Sequence, residues 1–123
     1  MTEQANEDET KQFPEITKID TTARVGEHHR TAVVIWFGGE GALRYVWHDV
    51  HSGIEGEIQE QTYLDGVVHD SYGVGIDVDR RHLSSFALET VAEYINSYRD
   101  NPEAMEKDWP HVHELLTAID ERS

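Results

Sequence analysis

The stretch TAVVIWFGGEGALRYVWHDV, residues 31–50, decides the fold. Residues 32–37 are all apolar and largely β-branched or aromatic, which is typical of a strand buried on both faces. After the glycine-rich segment 38–41, Leu43, Tyr45 and Trp47 alternate with Arg44, Val46 and His48. Two strands separated by a few glycine-rich residues form a β-hairpin. The stretch therefore predicts a hairpin with Leu43, Tyr45 and Trp47 on one face of its second strand.

A second hairpin is predicted in EIQEQTYLDGVVHDSYGVGIDVD, residues 57–79. Asp65-Gly66 is a strong signal for a two-residue turn. Beyond it, apolar residues alternate with small or polar ones, which predicts a strand with one apolar face made of Tyr72, Val74, Ile76 and Val78. The first arm, 57–64, has more polar than apolar residues, so we expect an edge strand there. Segment 13–30 favours either an extended chain or a short edge strand.

Helical periodicity begins after residue 79. Apolar residues recur three and four positions apart, as on one face of an amphipathic helix: Leu83, Phe86, Ala87, Val91, Tyr94, Ile95 and Tyr98. Asp79 is the expected N-cap, Asn101-Pro102 is the expected end, and a short turn follows at 102–108. Pro110 opens a last helix with a second apolar stripe: Val112, Leu115, Leu116 and Ile119.

The order of these elements predicts an α+β fold: an antiparallel β-sheet of about four strands in two hairpins, followed by two C-terminal helices packed on one face. Residues 1–12 hold almost nothing that could be buried and are predicted to form a disordered acidic tail. Residues 13–123 are predicted to form a single domain, in keeping with the chain length of 123.

Charge is the most distinctive property of the composition. The chain has 25 acidic and 10 basic residues, a formal net charge of −15, and no cysteine. Acidic residues are spread along the whole sequence, and such a surface is best tolerated where molar salt screens its self-repulsion. This composition resembles that of cytoplasmic proteins of salt-accumulating halophiles, especially haloarchaea. The resemblance implies a soluble, cytoplasmic, halophilic protein; the alternative is an acidic protein of a mesophile.

The same charge argues against two classes of partner. A protein that neutralises nucleic-acid phosphates needs a basic face, yet residues 31–78 contain eight acidic residues and one basic residue, Arg44. Nucleic acid is therefore not an expected partner. No apolar run approaches the length of about 20 residues that spans a bilayer, and no secretory signal is visible, so we expect no membrane association.

Histidines and carboxylates around the two hairpins form a candidate metal site. His48, His51 and Glu55 follow the first hairpin, and His69 and Asp70 lie in the second. If the chain turns near residue 49, these groups could converge as a set of two histidines and a carboxylate, which suits zinc or another divalent metal. The alternative is that they are ordinary polar residues at the solvated ends of hairpins, since residues three apart on a strand point to opposite faces.

Arg80, Arg81 and His82 form the only local basic cluster, at the start of the first predicted helix. Free backbone N–H groups at a helix N-terminus together with arginine side chains suit an anion, such as a phosphate or an acidic partner peptide. The alternative is that the arginines pair with Asp77 and Asp79 and stabilise the strand–helix junction.

These observations favour a non-enzymatic protein-interaction or regulatory module that binds an unknown protein partner or forms a homodimer. The sequence contains no nucleophile motif and no phosphate-binding loop, while exposed sheet edges need cover. One alternative is a metal-binding protein or small metal-dependent enzyme that uses His48, His51 and His69. A further alternative is an anion or nucleotide sensor at Arg80 and Arg81.

Overall fold

A computed structural model describes residues 13–25, 30–38, 40–49 and 55–122. Within these ranges, five strands form one antiparallel sheet in the order β1-β2-β3-β4-β5: β1 (Lys18–Val25), β2 (Arg30–Gly38), β3 (Gly41–Asp49), β4 (Glu55–Leu64) and β5 (Val67–Asp79). A 3-10 helix and three α-helices follow: Arg80–His82, α1 (Leu83–Asp100), α2 (Pro102–Asp108) and α3 (Pro110–Glu121). The predicted α+β class is confirmed, with five strands instead of about four. The predicted tail, residues 1–12, lies outside the described residues.

Both predicted hairpins are present. β2 pairs with β3, and β4 pairs with β5 across Asp65 and Gly66, whose φ angles are 55° and 83°. Positive φ at both central residues is the requirement of the type I′ turn, which matches the right-handed twist of the flanking strands. β3 also pairs with β4, so the two hairpins are neighbours in one continuous sheet.

Two expectations about the strands need correction, and one open alternative is decided. β4 is an interior strand, not an edge, because it pairs with β3 on one side and with β5 on the other. Its polar residues Glu60 and Gln61 have hydrogen-bond partners within the sheet. The ambiguous segment supplies β1, which pairs with β2 at one edge of the sheet. β5 forms the other edge, and its predicted apolar face is disrupted because the β4–β5 register shifts at three places. Ile76, expected to face the core, is 76% exposed.

The main core lies between the sheet and the helices. β3 contributes Leu43, Tyr45 and Trp47, as predicted, and the helices contribute the apolar stripes of α1 and α3. The opposite face of the sheet carries small buried residues, such as Ala42, beneath longer side chains. There the Trp36 and Tyr63 rings meet edge to face with centroids 5.6 Å apart. The helices therefore cover one face of the sheet, as predicted.

Local capping determines how the helices follow one another. The Asp79 side chain accepts a hydrogen bond from the backbone N–H of Arg81 and so caps the 3-10 helix, whereas the N-cap of α1 is His82 and not Asp79 as predicted. Asn101 ends α1 and also caps α2, because its side chain accepts from the backbone N–H of Ala104 at 3.3 Å. Residues 102–108 are consequently a short helix and not the predicted turn. No helix in the described part of the chain is long and apolar enough to cross a membrane.

The end of α3 is tied to the β4–β5 turn. Arg122 donates to both carboxylate oxygens of Asp65, at 2.5 Å and 2.6 Å. Hydrogen bonds from the guanidinium lower the pKa of the Asp65 carboxyl. The two groups are about half exposed, so the pair adds little stability. Its position nevertheless keeps the last turn of α3 beside the start of β5, and these two elements flank the site described next.

Candidate functional site: a cavity beside the edge strand

A buried carboxylate lies beneath the helices. Glu60 of β4 is 0% exposed, and its Oε2 accepts hydrogen bonds from the hydroxyls of Tyr45 at 2.7 Å and Tyr94 at 2.8 Å. Its Oε1 lies 2.7 Å from Nε2 of His111. β3, β4, α1 and α3 thus each contribute one residue to what we call the Glu60 cluster: Tyr45, Glu60, Tyr94 and His111. An ionised carboxylate only accepts hydrogen bonds, and three groups able to donate to it surround Glu60.

The two tyrosines of the Glu60 cluster are held in their protonated form. Burial raises the pKa of Tyr45 well above its usual range, and the nearby charge of Glu60 raises it further. Burial also raises the pKa of Tyr94, again reinforced by Glu60. Both hydroxyls therefore remain donors at neutral pH, which satisfies a carboxylate that burial would otherwise make costly.

A cavity of about 180 Å³ opens beside His111, between β4 and β5 on one side and α3 on the other. Its apolar lining consists of Leu64, Leu115 and Ala118. Its polar lining consists of Thr62, His69, Asp70, His111 and Glu114. The backbone N–H of Asp70 donates to the Thr62 hydroxyl at 3.0 Å, which fixes this end of β5 to β4. His111 links the two features, because it lines the cavity and bonds the buried Glu60.

Apolar side chains are exposed along β5, and two of them, Val67 and Tyr72, lie at the end of the strand that lines this cavity. Val67 is 54% exposed, Tyr72 is 48% exposed and Ile76 is 76% exposed. Val67 and Tyr72 lie opposite Leu64 and Glu60 of β4, so they project on the side of the sheet that carries the helices. The Tyr72 ring lies against the His111 ring with centroids 4.4 Å apart.

We use the name β5–α3 surface for the region formed by Val67, Asp70 and Tyr72 of β5 with His111 and Glu114 of α3, and the exposed edge of β5 continues from it to Ile76. It combines an edge strand, exposed apolar side chains, two carboxylates and a cavity.

The residues of the predicted metal site are divided between the two ends of the sheet. His48 lies opposite Glu57 on β4, whereas Asp70 lies opposite Thr62, five positions further along that strand. Five positions correspond to about 17 Å at ~3.3 Å per residue. His69 and Asp70 therefore line the cavity without His48.

The other members of that site add no further ligands. His51 and the side chain of Glu55 lie outside the described residues. Over the ranges that the structure describes, no three histidine or carboxylate side chains form a group that could hold a metal ion. His48 instead approaches Glu57, with Nε2 to Oε1 at 3.5 Å, and its buried Nδ1 has no hydrogen-bond partner in the described part of the chain. A metal site stays a prediction.

The basic cluster at the strand–helix junction forms local contacts. Arg81 makes an ion pair with Asp79 at 2.8 Å, and hydrogen bonds from Arg81 hold the pKa of that carboxyl far below its usual range. The Arg80 guanidinium lies over the Trp47 ring, 5.8 Å from its centroid. His82 is exposed at the start of α1. These contacts match the alternative in which the arginines stabilise the junction, and an anion site stays a prediction.

Sequence reasoning missed the Glu60 cluster. The only local signal is that Ile58, Glu60 and Thr62 share one face of β4, so a glutamate occupies the face that Ile58 assigns to the core. His111 belongs to neither of the predicted sites, yet its side chain is only 13% exposed. Comparison of the chain with protein-family models, with curated proteins and with solved structures found no match.

Proposed function

We propose that this chain is a protein-interaction module that binds a partner with a basic surface, and that the β5–α3 surface is the contact region. The observation that carries the proposal is the exposure of Val67, Tyr72 and Ile76 on a single edge strand beside a cavity lined by carboxylates. Exposed apolar side chains grouped on one element, rimmed by polar residues, are a mark of interaction surfaces.

The edge position of β5 supports this proposal. A strand at the edge of a sheet presents unpaired backbone groups to a second chain, and proteins usually cover or distort such edges. In the described part of the chain, β5 pairs only with β4. Tyr72 adds an aromatic ring with a polar hydroxyl, a residue type that is enriched at the centre of protein interfaces.

Charge supports a basic partner. The net charge is −15, and Asp70 and Glu114 flank the cavity of the β5–α3 surface. Complementary potentials speed the encounter of two proteins and select against partners of like charge. A second copy of this chain would bring another −15 to the same contact, so the charge favours a different, basic protein over a homodimer.

Site-specific photo-crosslinking tests the proposal directly. Benzoylphenylalanine is placed at position 72 or 76 of β5 and, as the matched control, at Leu88, an exposed apolar residue of α1. We expect the β5 positions, but not position 88, to crosslink in a source-cell extract at molar KCl to one protein, identified by mass spectrometry, that has a basic surface. Adducts of equal yield at all three positions, an adduct with a second copy, or an acidic partner would contradict the proposal.

Binding of the identified and purified partner provides the quantitative test. Ile76→Ala changes a side chain that makes little contact within the fold, so its effect on binding is separable from stability. We expect it to weaken binding by about tenfold, because the contact continues along the exposed edge of β5, whereas Leu88→Ala leaves the affinity within about twofold of the wild-type value. Equal effects of the two substitutions, measured by titration calorimetry, would place the contact elsewhere.

A further inference from the structure

The geometry points to a specific binding mode: an extended segment of the partner adds to β5 as a sixth strand, and a lysine or arginine side chain of that segment enters the cavity between β5 and α3. This inference rests on the proposed function and adds the backbone contact and the class of side chain that is recognised.

The strand-addition step follows from the register of β5. Four successive residues, Asp70 to Gly73, pair with β4 without a shift, whereas the register changes on both sides of this stretch. The longest run of regular backbone groups for a new strand is therefore Asp70–Gly73 on the free side of β5. A strand added there would lie about 4.8 Å from β5 and would carry alternate side chains on the helix-covered side of the sheet.

The cavity lies where such a side chain would point. Asp70 belongs both to the regular stretch of β5 and to the cavity wall, and α3 forms the opposite wall with Glu114, Leu115 and Ala118. A side chain directly across from Asp70 would have its Cβ about 5 Å away, within reach of this opening. The cavity is thus adjacent to the longest regular stretch of the edge strand.

The lining of the cavity fits a long cationic side chain. Leu64, Leu115 and Ala118 offer an apolar surface for the aliphatic part of lysine or arginine, while Asp70 and Glu114 offer acceptors for its charged end. The volume of about 180 Å³ equals that of about six water molecules in the liquid, which is enough for a lysine side chain. An acidic side chain would meet two carboxylates there.

The Glu60 cluster makes this cavity a rigid one. His111 forms part of the wall, and its ring is held by Glu60 on one side and by Tyr72 on the other. A wall that is already ordered loses little conformational freedom when a ligand enters, which favours binding. The carboxyl group of Glu60 lies directly behind His111, with Oε1 2.7 Å from Nε2.

Short peptides test this mode. The probe is a seven-residue peptide of alternating valine and threonine with a central lysine, compared with versions that carry arginine, norleucine or glutamate at the centre. Binding is followed by chemical shifts of the ¹⁵N-labelled full chain. We expect the lysine and arginine peptides to shift the amides of Asp70–Gly73 and to bind at least about tenfold more tightly than the norleucine peptide. Norleucine keeps the aliphatic part and lacks the charge.

Charge-neutral variants of the protein locate the charged end. Asp70→Asn and Glu114→Gln keep the size of each side chain and should weaken the lysine peptide severalfold, with no effect on the norleucine peptide. Glu103→Gln, an exposed change on α2, is the control.

No shift of the β5 amides at about 10 mM peptide, where even a millimolar complex is saturated, overturns strand addition. Equal affinity for lysine and norleucine peptides overturns the cation-binding cavity. Either failure leaves the crosslinks at positions 72 and 76 unaffected, whereas loss of those crosslinks refutes the proposed function itself.

Discussion

Two histidine–glutamate pairs involve the same strand and differ in almost every physical respect. Glu57 and Glu60 are three positions apart on β4, so their side chains lie on opposite faces of the sheet. The His48–Glu57 contact measures 3.5 Å, and its side chains are 23% and 45% exposed. The His111–Glu60 contact measures 2.7 Å, and its side chains are 13% and 0% exposed. The contribution of such a pair to stability therefore depends on its burial and on the number of hydrogen-bond donors around it, and not on residue type alone.

The largest expected effect is the loss of the buried carboxylate. Glu60→Ala leaves two tyrosine hydroxyls and His111 without their common acceptor inside the core. We expect the free energy of unfolding to fall by about 3–5 kcal/mol, which approaches the total stability of many small domains. Urea unfolding in molar KCl, followed by tryptophan fluorescence, measures this loss.

Glu60→Gln keeps the comparison interpretable if the alanine variant does not fold. The amide oxygen can still accept from both tyrosines, so only the contact with His111 changes its character. The expected loss is about 1–3 kcal/mol. A Glu60→Ala variant as stable as Glu57→Ala would show that the buried cluster contributes no more than the exposed pair.

Alkaline pH provides a second way to separate the two regions. A tyrosine whose pKa is raised by folding contributes its full stability below about pH 10, the pKa of the unfolded chain, and loses it above that value. Tyr45 belongs to this class. Each such group should make the unfolding free energy fall by about 1.4 kcal/mol per pH unit above pH 10 while the folded hydroxyl stays protonated.

Phenylalanine variants isolate this contribution. Tyr45→Phe has no hydroxyl to ionise in the unfolded chain, so its loss of stability between pH 8 and pH 11 should be smaller than that of the wild type by about 1.4 kcal/mol. Tyr63→Phe is the control, because that ring packs against Trp36 on the other face of the sheet. Urea unfolding at the two pH values measures the difference. Equal pH dependence of Tyr45→Phe and the wild type would contradict the raised pKa.

Features that depend on contacts between neighbours in the sequence were predicted, whereas features that depend on distant contacts were missed. The β2–β3 hairpin, the Asp65-Gly66 turn and the apolar stripes of α1 and α3 depend on neighbours a few positions away, and all were predicted. The partners of Glu60 come from 15, 34 and 51 positions away along the chain, on three different elements. No pattern on β4 specifies those partners, so its polar residues were interpreted as an exposed edge.

At the candidate site, two residues were predicted from their residue types, but their neighbours in space were not. His69 and Asp70 were singled out because of their residue types, and both line the cavity. Their predicted companions were sought in the first hairpin, nearby in sequence, whereas the cavity takes His111 and Glu114 from the last helix. Register shifts within β5 also have no clear sequence signal, although they disrupt the apolar face to which Ile76 was assigned and make Asp70–Gly73 the longest regular stretch of the edge.

The smallest expected effect belongs to the exposed pair, and its dependence on salt makes it informative. Glu57→Ala removes a contact of about 0–1 kcal/mol, and it also removes one negative charge from a chain of −15. At 0.1 M KCl, where charges interact over about 10 Å, relief of repulsion offsets the lost contact; at molar KCl the range falls to about 3 Å and both terms fade. The unfolding free energy of Glu57→Ala should therefore stay within about 1 kcal/mol of the wild type and vary with salt.

The loss caused by Glu60→Gln should be the same at both salt concentrations, because solvent ions do not reach a fully buried carboxylate. A salt-independent loss in Glu57→Ala as large as that in Glu60→Gln would mean that the His48 end of the sheet is as well shielded from water as the cluster beneath the helices.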